Sequence, residues 1–335
     1  MNELHVFLVT AWFVLLGLII ALYVVLDGFD LGIGMLSLLE RETDLRTQML
    51  LPISGVWDAN ETWLVLAGGV LFGAFPLAYA LVLSQLYIPV MLLLFGLILR
   101  GVGLEYSHHA PQPCWWLRLF GIGSLLASVA QGLVLGGILN GLPVTGTSGS
   151  GFIFNWLTPF TLLVTVGVVL GYAMLGATFL LWRSTGVLHE QAQRWASRTA
   201  LGMLAVLVAV AVWTPNLHPQ MAQRWAEPPT LMVMVGILLS GLVASCGLFL
   251  SLRDREYGKP FLWGLLVFAL AFAGLAVSLF PDFVPGRFSL QQAAASNQTL
   301  LFMIVGIGVL MPVMLAYNGF QYLVFSKHMD VPHAP

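Results

Sequence analysis

The chain contains 335 residues, of which 59% are hydrophobic and only 8% are charged. A soluble domain carries about 25% charged residues, so this chain cannot cover a water-facing surface and its solvent must largely be lipid. The formal net charge of −2 provides no basic surface for nucleic acid, and two cysteines are too few for a disulfide framework or a thiolate metal site. Residues 1–335 are therefore predicted to form a single integral membrane domain, an all-α bundle of transmembrane helices.

About nine apolar segments are long enough to cross a membrane, which requires roughly 20 residues. The first follows a terminus without basic residues and is interpreted as a retained span, not as a cleaved signal peptide. The turn near Pro76 is so short that the second and third spans must form a hairpin. The predicted spans are 6–28, 54–76, 78–104, 116–140, 157–182, 195–214, 230–252, 260–281 and 299–326.

Basic residues are distributed unevenly between the two sets of loops. With nine spans, all but Arg224 and Arg287 of the 13 basic residues fall on the side of the C-terminus. Cytoplasmic loops carry an excess of Lys and Arg, so the N-terminus is predicted to be outside and the C-terminus cytoplasmic. The Gly/Ser/Thr-rich segment 141–151 is then an external loop. An eight-span arrangement would lose this asymmetry.

Three segments at predicted span ends carry charged residues at membrane depth, where each charge is costly and is by default a functional candidate. The predicted orientation places all three segments at the cytoplasmic side. Both pairs of acidic residues are spaced three residues apart and so share a helical face. The charged residues are Asp27 and Asp30 in the first span, Asp58 and Glu61 in the second, and Arg100 and Glu105 at the end of the third.

These charged residues have two interpretations. Apart from Asp27, they either form one buried polar cluster facing the cytoplasm or are ordinary helix-end charges solvated by lipid headgroups. An arginine near several carboxylates lowers the cost of burying each charge and leaves titratable groups that can pass protons. Asp27 is assigned to the solvated class, because only one member of its pair needs to face inward.

The positions of the histidines argue against a haem site within this chain. A membrane-embedded haem needs axial ligands, most often histidine, that project from helices into the bundle. All the histidines are predicted to lie in loops or tails, and the His108-His109 pair is interpreted as part of a solvated loop, not of a metal site. They are His5, His108, His109, His189, His218, His328 and His333.

The segments that carry these charges resemble subunit II of bacterial cytochrome bd-type quinol oxidases. They are Asp27-Gly-Phe-Asp-Leu-Gly-Ile-Gly34, the segment from Trp57 to Gly69, and Leu99-Arg-Gly-Val-Gly103. The likeness covers essentially the whole chain, and the joint order and spacing of the segments make it specific. Segments that resemble the cyanide-insensitive branch of the family are 131–136, 157–160 and 171–178.

The resemblance implies a haem-free subunit of an enzyme that transfers electrons from membrane quinol to O₂, making water. Such enzymes generate proton motive force without pumping and lie in the bacterial cytoplasmic (inner) membrane. The implied partner is subunit I, which carries the quinol-oxidising loop and all the haems. These are haem b and, at the oxygen site, either haem d or a further haem b. A small single-span accessory subunit is a further candidate partner, and some members carry a structural quinone in subunit II.

The resemblance also implies a cytoplasmic proton pathway in this subunit. The residues of the family's pathway map onto Asp30, Asp58 and Arg100, while Glu61 replaces a glutamine of the better-known branch and adds a carboxylate. The alternative is a secondary transporter that binds its substrate with the same carboxylates. Transporters place such sites at mid-membrane on broken helices, whereas these charges lie at one edge of the membrane.

Overall fold

The computed structural model describes residues 3–107, 109–142, 154–286 and 288–329, with side chains up to residue 324. Most of the external loop predicted at 141–151 lies outside these residues. The described chain is almost entirely helical. Its helices are α1 (Glu3–Ser37), α2 (Thr43–Leu50), α3 (Trp57–Ala74), α4 (Pro76–Gln85), α5 (Tyr87–Ser107), α6 (Pro113–Asn140), α7 (Pro159–Arg183), α8 (Gly186–Leu217), α9 (Pro219–Ala226), α10 (Pro228–Arg253), α11 (Lys259–Leu279), α12 (Leu290–Ala293) and α13 (Asn297–Met329).

The helix lengths confirm the prediction of about nine spans. In the described ranges, 8 helices are long and apolar enough to cross a membrane, or up to 9 if α3 and α4 are counted together. The chain bends by 117° between these two helices. The break falls at the predicted turn, where Pro76 lacks the N–H that would continue α3. The third predicted span, 78–104, is divided between α4 and α5.

Short elements in the connections were not predicted. A 3₁₀ turn at Leu51–Ile53 follows α2, and an antiparallel pair of strands, β1 (Asp282–Val284) and β2 (Phe288–Ser289), precedes α12. The buried side chain of Arg46 on α2 donates to the carbonyl oxygens of Ser37, at 2.9 Å, and Glu40. Ser37 is the last residue of α1 and Glu40 lies just after it, so α2 caps the end of the first span.

Helix α1 lies at the centre of the bundle because small residues let α7 approach its backbone. A Cβ atom added at Gly32 would lie 1.9 Å from the carbonyl oxygen of Tyr172, and one at Gly176 would lie 2.5 Å from the carbonyl carbon of Gly32. Close backbone approach of this kind is how helices associate in lipid, where the hydrophobic effect does not drive them together. Every residue from Asp27 to Ser37 is consequently buried.

The last helices contribute little to this core. Only 11% of the apolar window of α10 and 6% of that of α13 is buried, compared with 61% for α7. The exposed positions on α13 are largely hydrophobic. Apolar residues at such positions are typical of a helix that faces lipid or another membrane subunit. The contacts that hold α13 to the rest of the chain are therefore few, and several of them are polar.

Candidate functional site

Arg100 on α5 and Asp27 on α1 form a fully buried ion pair, and both side chains have 0% exposure. Arg100 Nη1 donates to Asp27 Oδ2 at 2.8 Å, and Nη2 donates to Oδ1. Two parallel bonds from one guanidinium to one carboxylate are the strongest geometry available to this pair. The assignment of Asp27 to headgroup solvation was therefore wrong, because its carboxylate is the main counter-ion of Arg100.

The surroundings of Arg100 exclude solvent from its guanidinium. Helix α6 packs directly on the backbone of α5, since a Cβ added at Gly123 would lie 2.5 Å from the backbone nitrogen of Arg100. The Arg100 Cζ atom lies 5.9 Å from the ring centroid of Trp57 and 5.8 Å from that of Phe120. Both distances allow cation–π attraction, so aromatic rings and one carboxylate replace the water that this cation would otherwise bind.

Asp30 is the second buried carboxylate of the site. Its Oδ2 lies 3.7 Å from Arg100 Nη2 and accepts a hydrogen bond from Asn60 Nδ2 at 2.8 Å. Among the described residues, its other oxygen, Oδ1, has no hydrogen-bond partner, and neither does Arg100 Nε. Asp30 and Arg100 each lie about 10 Å from the end of their helix at 1.5 Å per residue. The site is thus inside the bundle, near the end where α1 and α5 finish.

A chain of hydrogen bonds reaches this site from α7. Tyr172 donates its hydroxyl proton to Gln131 Oε1 at 2.6 Å, and Gln131 Nε2 donates to the Tyr23 hydroxyl oxygen at 2.7 Å. The Tyr23 hydroxyl interacts in turn with the Asp27 carboxylate one helical turn further along α1. Because the Tyr23 oxygen accepts from Gln131, the Tyr23 hydroxyl proton is available to the Asp27 carboxylate.

The remaining predicted site residues lie further out. Glu61 is partly buried, and its Oε2 atom has no hydrogen-bond partner in the described part of the chain. Asp58 and Glu105 are exposed on the surface of this chain. The predicted cluster is therefore partly realised, because the structure joins Asp30 to Arg100 but leaves Asp58 and Glu105 outside.

The geometry of α3 explains why sequence reasoning missed Asn60, which is fully buried. Residues two apart on a helix do not share a face, so a helix that points Asn60 inward must point Asp58 outward. A signal was available in the sequence, because Asn60, Trp63, Ala67 and Val70 repeat at helical spacing and are all buried. The charged residues beside this stripe, Asp58 and Glu61, led to the prediction that their face of α3 is the buried one.

The described histidines occupy helix ends. The prediction of loops or tails is corrected for His5, His189 and His328, which lie in the first turns of α1 and α8 and in the last turn of α13. His5 Nδ1 lies 2.6 Å from Asn297 Oδ1, and His218 Nε2 lies 2.7 Å from the Leu139 carbonyl oxygen. Among the residues that the structure describes, no group of three or more His, Cys, Asp or Glu side chains is arranged to hold a metal ion.

Residues 8–325 match the sequence model of the family described as cytochrome bd terminal oxidase subunit II. The chain belongs to this family. Cytochrome bd-I ubiquinol oxidase subunit 2 of Escherichia coli (strain K12) is 28% identical, over 93% of this chain and 92% of that protein. Cytochrome bd ubiquinol oxidase subunit 2 of Bacillus subtilis (strain 168) is 25% identical, over 95% of this chain and 96% of the relative.

A solved structure agrees with this assignment at the level of the fold. A chain of the bd oxidase from Geobacillus thermodenitrificans superposes with a TM-score of 0.77 at 19% identity, over 95% of this chain and 98% of that one. The resemblance predicted from the sequence motifs is thus confirmed. As a subunit II, the chain is a transmembrane component of a respiratory quinol oxidase whose complex includes a subunit I.

The three motif segments that carried the resemblance meet at one place in this subunit II. The first supplies Asp27 and Asp30, the second supplies Asn60, and the third supplies Arg100. Since these segments are distant in sequence and belong to different helices, their convergence is a property of the fold. The buried site is therefore the strongest candidate for a functional centre in the described part of the chain.

Proposed function

We propose that this subunit II is the haem-free partner of a haem-bearing subunit I and carries protons from the cytoplasm toward the site of O₂ reduction. The observation that supports a proton route is a buried cation facing two carboxylates, one of which keeps an oxygen without a partner. Acidic residues at membrane depth that pair with a cation are typical of proton relays. The placement of the described histidines at helix ends supports the haem-free assignment.

The partner subunit would hold haem b and the oxygen-binding haem, d or b, and would oxidise the quinol. Reduction of one O₂ to two waters consumes four protons and four electrons. If those protons enter from the cytoplasm while quinol oxidation releases protons outside, charge separation follows without a pump. A protein route from the cytoplasm to the haem is then required, and a polar site near one end of the bundle is suited to begin it.

The two buried aspartates have different parts in this proposal. Asp27 accepts from Arg100 with both oxygens, so it acts as the fixed counter-ion. Asp30 accepts from Asn60 through Oδ2 and offers Oδ1 to an incoming proton. Buried polar atoms without a protein partner are usually satisfied by ordered water. Water bound at Asp30 Oδ1 and Arg100 Nε would complete the proton route.

Glu61 and Asp58 provide a connection from the cluster to the surface. Three residues apart on α3, they share a helical face, along which exposure increases from the partly buried Glu61 to the exposed Asp58. Glu61 also keeps an oxygen without a partner. We assign Glu61 to the step between the surface and Asp30, and Asp58 to the collection of protons at the surface of this subunit.

The orientation of the bundle is part of the same proposal. The excess of basic residues on the side of the C-terminus favours a cytoplasmic C-terminus and an external N-terminus. The cytoplasmic end is then the end at which α1 and α5 finish and at which the cluster lies. In a bacterium this membrane would be the cytoplasmic (inner) membrane. The transporter alternative loses its support, because the chain belongs to an oxidase family.

The proposal is tested by Asp30→Asn in the purified complex with subunit I. This change keeps the size of the side chain but removes the titrating group, and Asp27 still neutralises Arg100. Quinol-driven O₂ consumption per haem should fall at least about tenfold, a change of roughly 1.4 kcal/mol in the barrier, while haem content stays normal. Glu105→Gln, an exposed acid on α5, is the matched control and should leave turnover unchanged. Normal turnover in a fully assembled Asp30→Asn complex would show that no obligatory proton passes through Asp30.

A further inference from the structure

Asn60 forms a bridge between the C-terminal helix and the buried carboxylates. Its Nδ2 donates to Asp30 Oδ2 at 2.8 Å, and its Oδ1 accepts from the Tyr322 hydroxyl at 3.2 Å. The bridge joins α1, α3 and α13. An ionised carboxylate only accepts hydrogen bonds, so the amide must present its NH₂ end to Asp30. The oxygen end then faces Tyr322, whose hydroxyl proton fixes this orientation.

A second polar contact lies beside the bridge on the same two helices. Trp63 Nε1 donates to Asn318 Oδ1 at 2.6 Å. Asn318 and Tyr322 are four residues apart on α13, while Asn60 and Trp63 are three apart on α3, so each pair shares a helical face. Apolar residues of α13, among them Leu300 and Met303, also pack on the core, and these two hydrogen bonds add the polar contacts between α13 and α3. In lipid, polar contacts of this kind can set helix association.

We propose that Tyr322 is a positioning residue that holds the Asn60 amide in the orientation needed for proton transfer at Asp30. The inference rests on the proton route proposed above. When a proton reaches Asp30, the O–H bond of its donor, Glu61 or a bound water, breaks and an O–H bond forms at Asp30 Oδ1. This bond breaks in turn when the proton passes to the next water of the route. Throughout this cycle Oδ2 stays bound to the Asn60 Nδ2–H, so Oδ1 keeps facing the route.

The consequence of losing the Tyr322 hydroxyl follows from the chemistry of the amide. Without a donor to Asn60 Oδ1, the Asn60 amide can rotate by half a turn and present its oxygen to Asp30. That oxygen would accept a hydrogen bond from a protonated Asp30, which would turn the acidic proton away from the route and slow its release. The hydroxyl of Tyr322 prevents this alternative arrangement by occupying the amide oxygen.

The test is Tyr322→Phe in the purified complex, which removes one hydroxyl and keeps the ring. Turnover per haem should fall about threefold to tenfold, the size of effect expected for one hydrogen bond, with normal haem content. The solvent deuterium isotope effect on turnover should increase, since proton transfer becomes more limiting. The matched control is Tyr317→Phe on the same helix, an exposed tyrosine whose hydroxyl accepts only from Gln321 in the described structure. It should change neither quantity.

A double-variant comparison shows whether Tyr322 acts through Asn60. Asn60→Ala should slow turnover by itself, and adding Tyr322→Phe should slow it no further, because the amide that the hydroxyl orients is gone. Additive effects, an unchanged isotope effect, or failure of the Tyr322→Phe complex to assemble would each overturn the inference. Normal turnover of Tyr322→Phe beside a slow Asp30→Asn complex would overturn the inference alone. Normal turnover of both variants would overturn the proton route as well.

Discussion

Asp27 and Asp30 lie three residues apart on α1 and face the same guanidinium, yet their surroundings differ. Both carboxylate oxygens of Asp27 accept hydrogen bonds from Arg100, and the Tyr23 hydroxyl lies beside them. Asp30 has one oxygen bonded to Asn60, a more distant contact to Arg100 of 3.7 Å, and one oxygen without a hydrogen-bond partner among the residues that the structure describes. In an interior of low dielectric constant such differences decide how each carboxylate can behave.

The contrast shows how one buried arginine can serve two acids in different ways. The geometry of the Arg100–Asp27 pair favours a permanent ion pair, because breaking it would leave an uncompensated charge in the bundle. Asp30 receives only partial compensation from the same cation. A carboxylate held this loosely can take up and release a proton without dismantling the site. In the proposed proton route, this difference would make Asp27 the structural acid and Asp30 the exchanging acid within one helical turn.

The largest effect is expected from Asp27→Asn, which removes the anion that holds Arg100. Removal of one partner of a buried pair costs about 3–5 kcal/mol, so the complex should fail to assemble. The measurement is the haem content of membranes after expression, compared with Asp30→Asn. The double variant Asp27→Asn with Arg100→Met should recover part of the assembly, since the uncompensated cation is then gone. An assembled but inactive Asp27→Asn complex would contradict the contrast, because Asp27 would then be acting as an exchanging acid.

A smaller effect is expected from Gly32→Ala, which disturbs both aspartates together. The added Cβ would lie 1.9 Å from the Tyr172 carbonyl oxygen, so α1 and α7 must separate. Overpacking of this kind costs typically about 1–3 kcal/mol, and the purified complex should unfold at a lower temperature. Gly17→Ala on the same helix is the matched control, since its added Cβ would meet no atom of another described helix within 4 Å. A rise in the unfolding temperature of both variants would mean that the higher helix propensity of Ala outweighs the contact with α7.

Hydropathy was sufficient to locate the spans but not their full length. The bilayer imposes a minimum apolar length, and this requirement is visible in the sequence. A helix can continue beyond the hydrocarbon wherever its backbone remains hydrogen-bonded, and no apolar signal marks that extension. Thus α1 runs over Glu3–Ser37 where 6–28 was predicted, and α8 over Gly186–Leu217 where 195–214 was predicted. The break at Pro76 was predictable, because the ring removes a specific backbone donor.

The site was predictable in its residue types and only partly in its membership. Asp30 and Arg100 were identified because buried charges are costly and therefore conspicuous. Asp27 was misassigned because the reasoning assumed a helix with one outer face, whereas α1 is enclosed on all sides from Asp27 onward. Tyr322 lies 262 residues from Asn60 in sequence. A contact at that separation has no local pattern from which one sequence could reveal it.

The smallest effect is expected from Asp58→Asn, which tests how far the contrast extends toward the surface. Asp58 is exposed in this chain, and protons from water can reach the partly buried Glu61 one turn away without it. Turnover per haem should therefore fall only about twofold to threefold, a change of less than roughly 1 kcal/mol, and Asp58→Glu should retain more activity than Asp58→Asn. Asp44→Asn, an exposed acid on α2, should have no effect.

A loss as large as that of Asp30→Asn would place Asp58 among the obligatory relays. It would also imply that subunit I covers the outer face of α3 in the complex, because only a site cut off from water depends on a single donor. A small loss would therefore indicate that Asp58 is exposed to water in the complex, and a large loss would indicate that it is covered. Turnover of the purified Asp58→Asn complex measured at increasing buffer concentration separates them. Buffer can replace an exposed proton collector, but it cannot replace a covered relay.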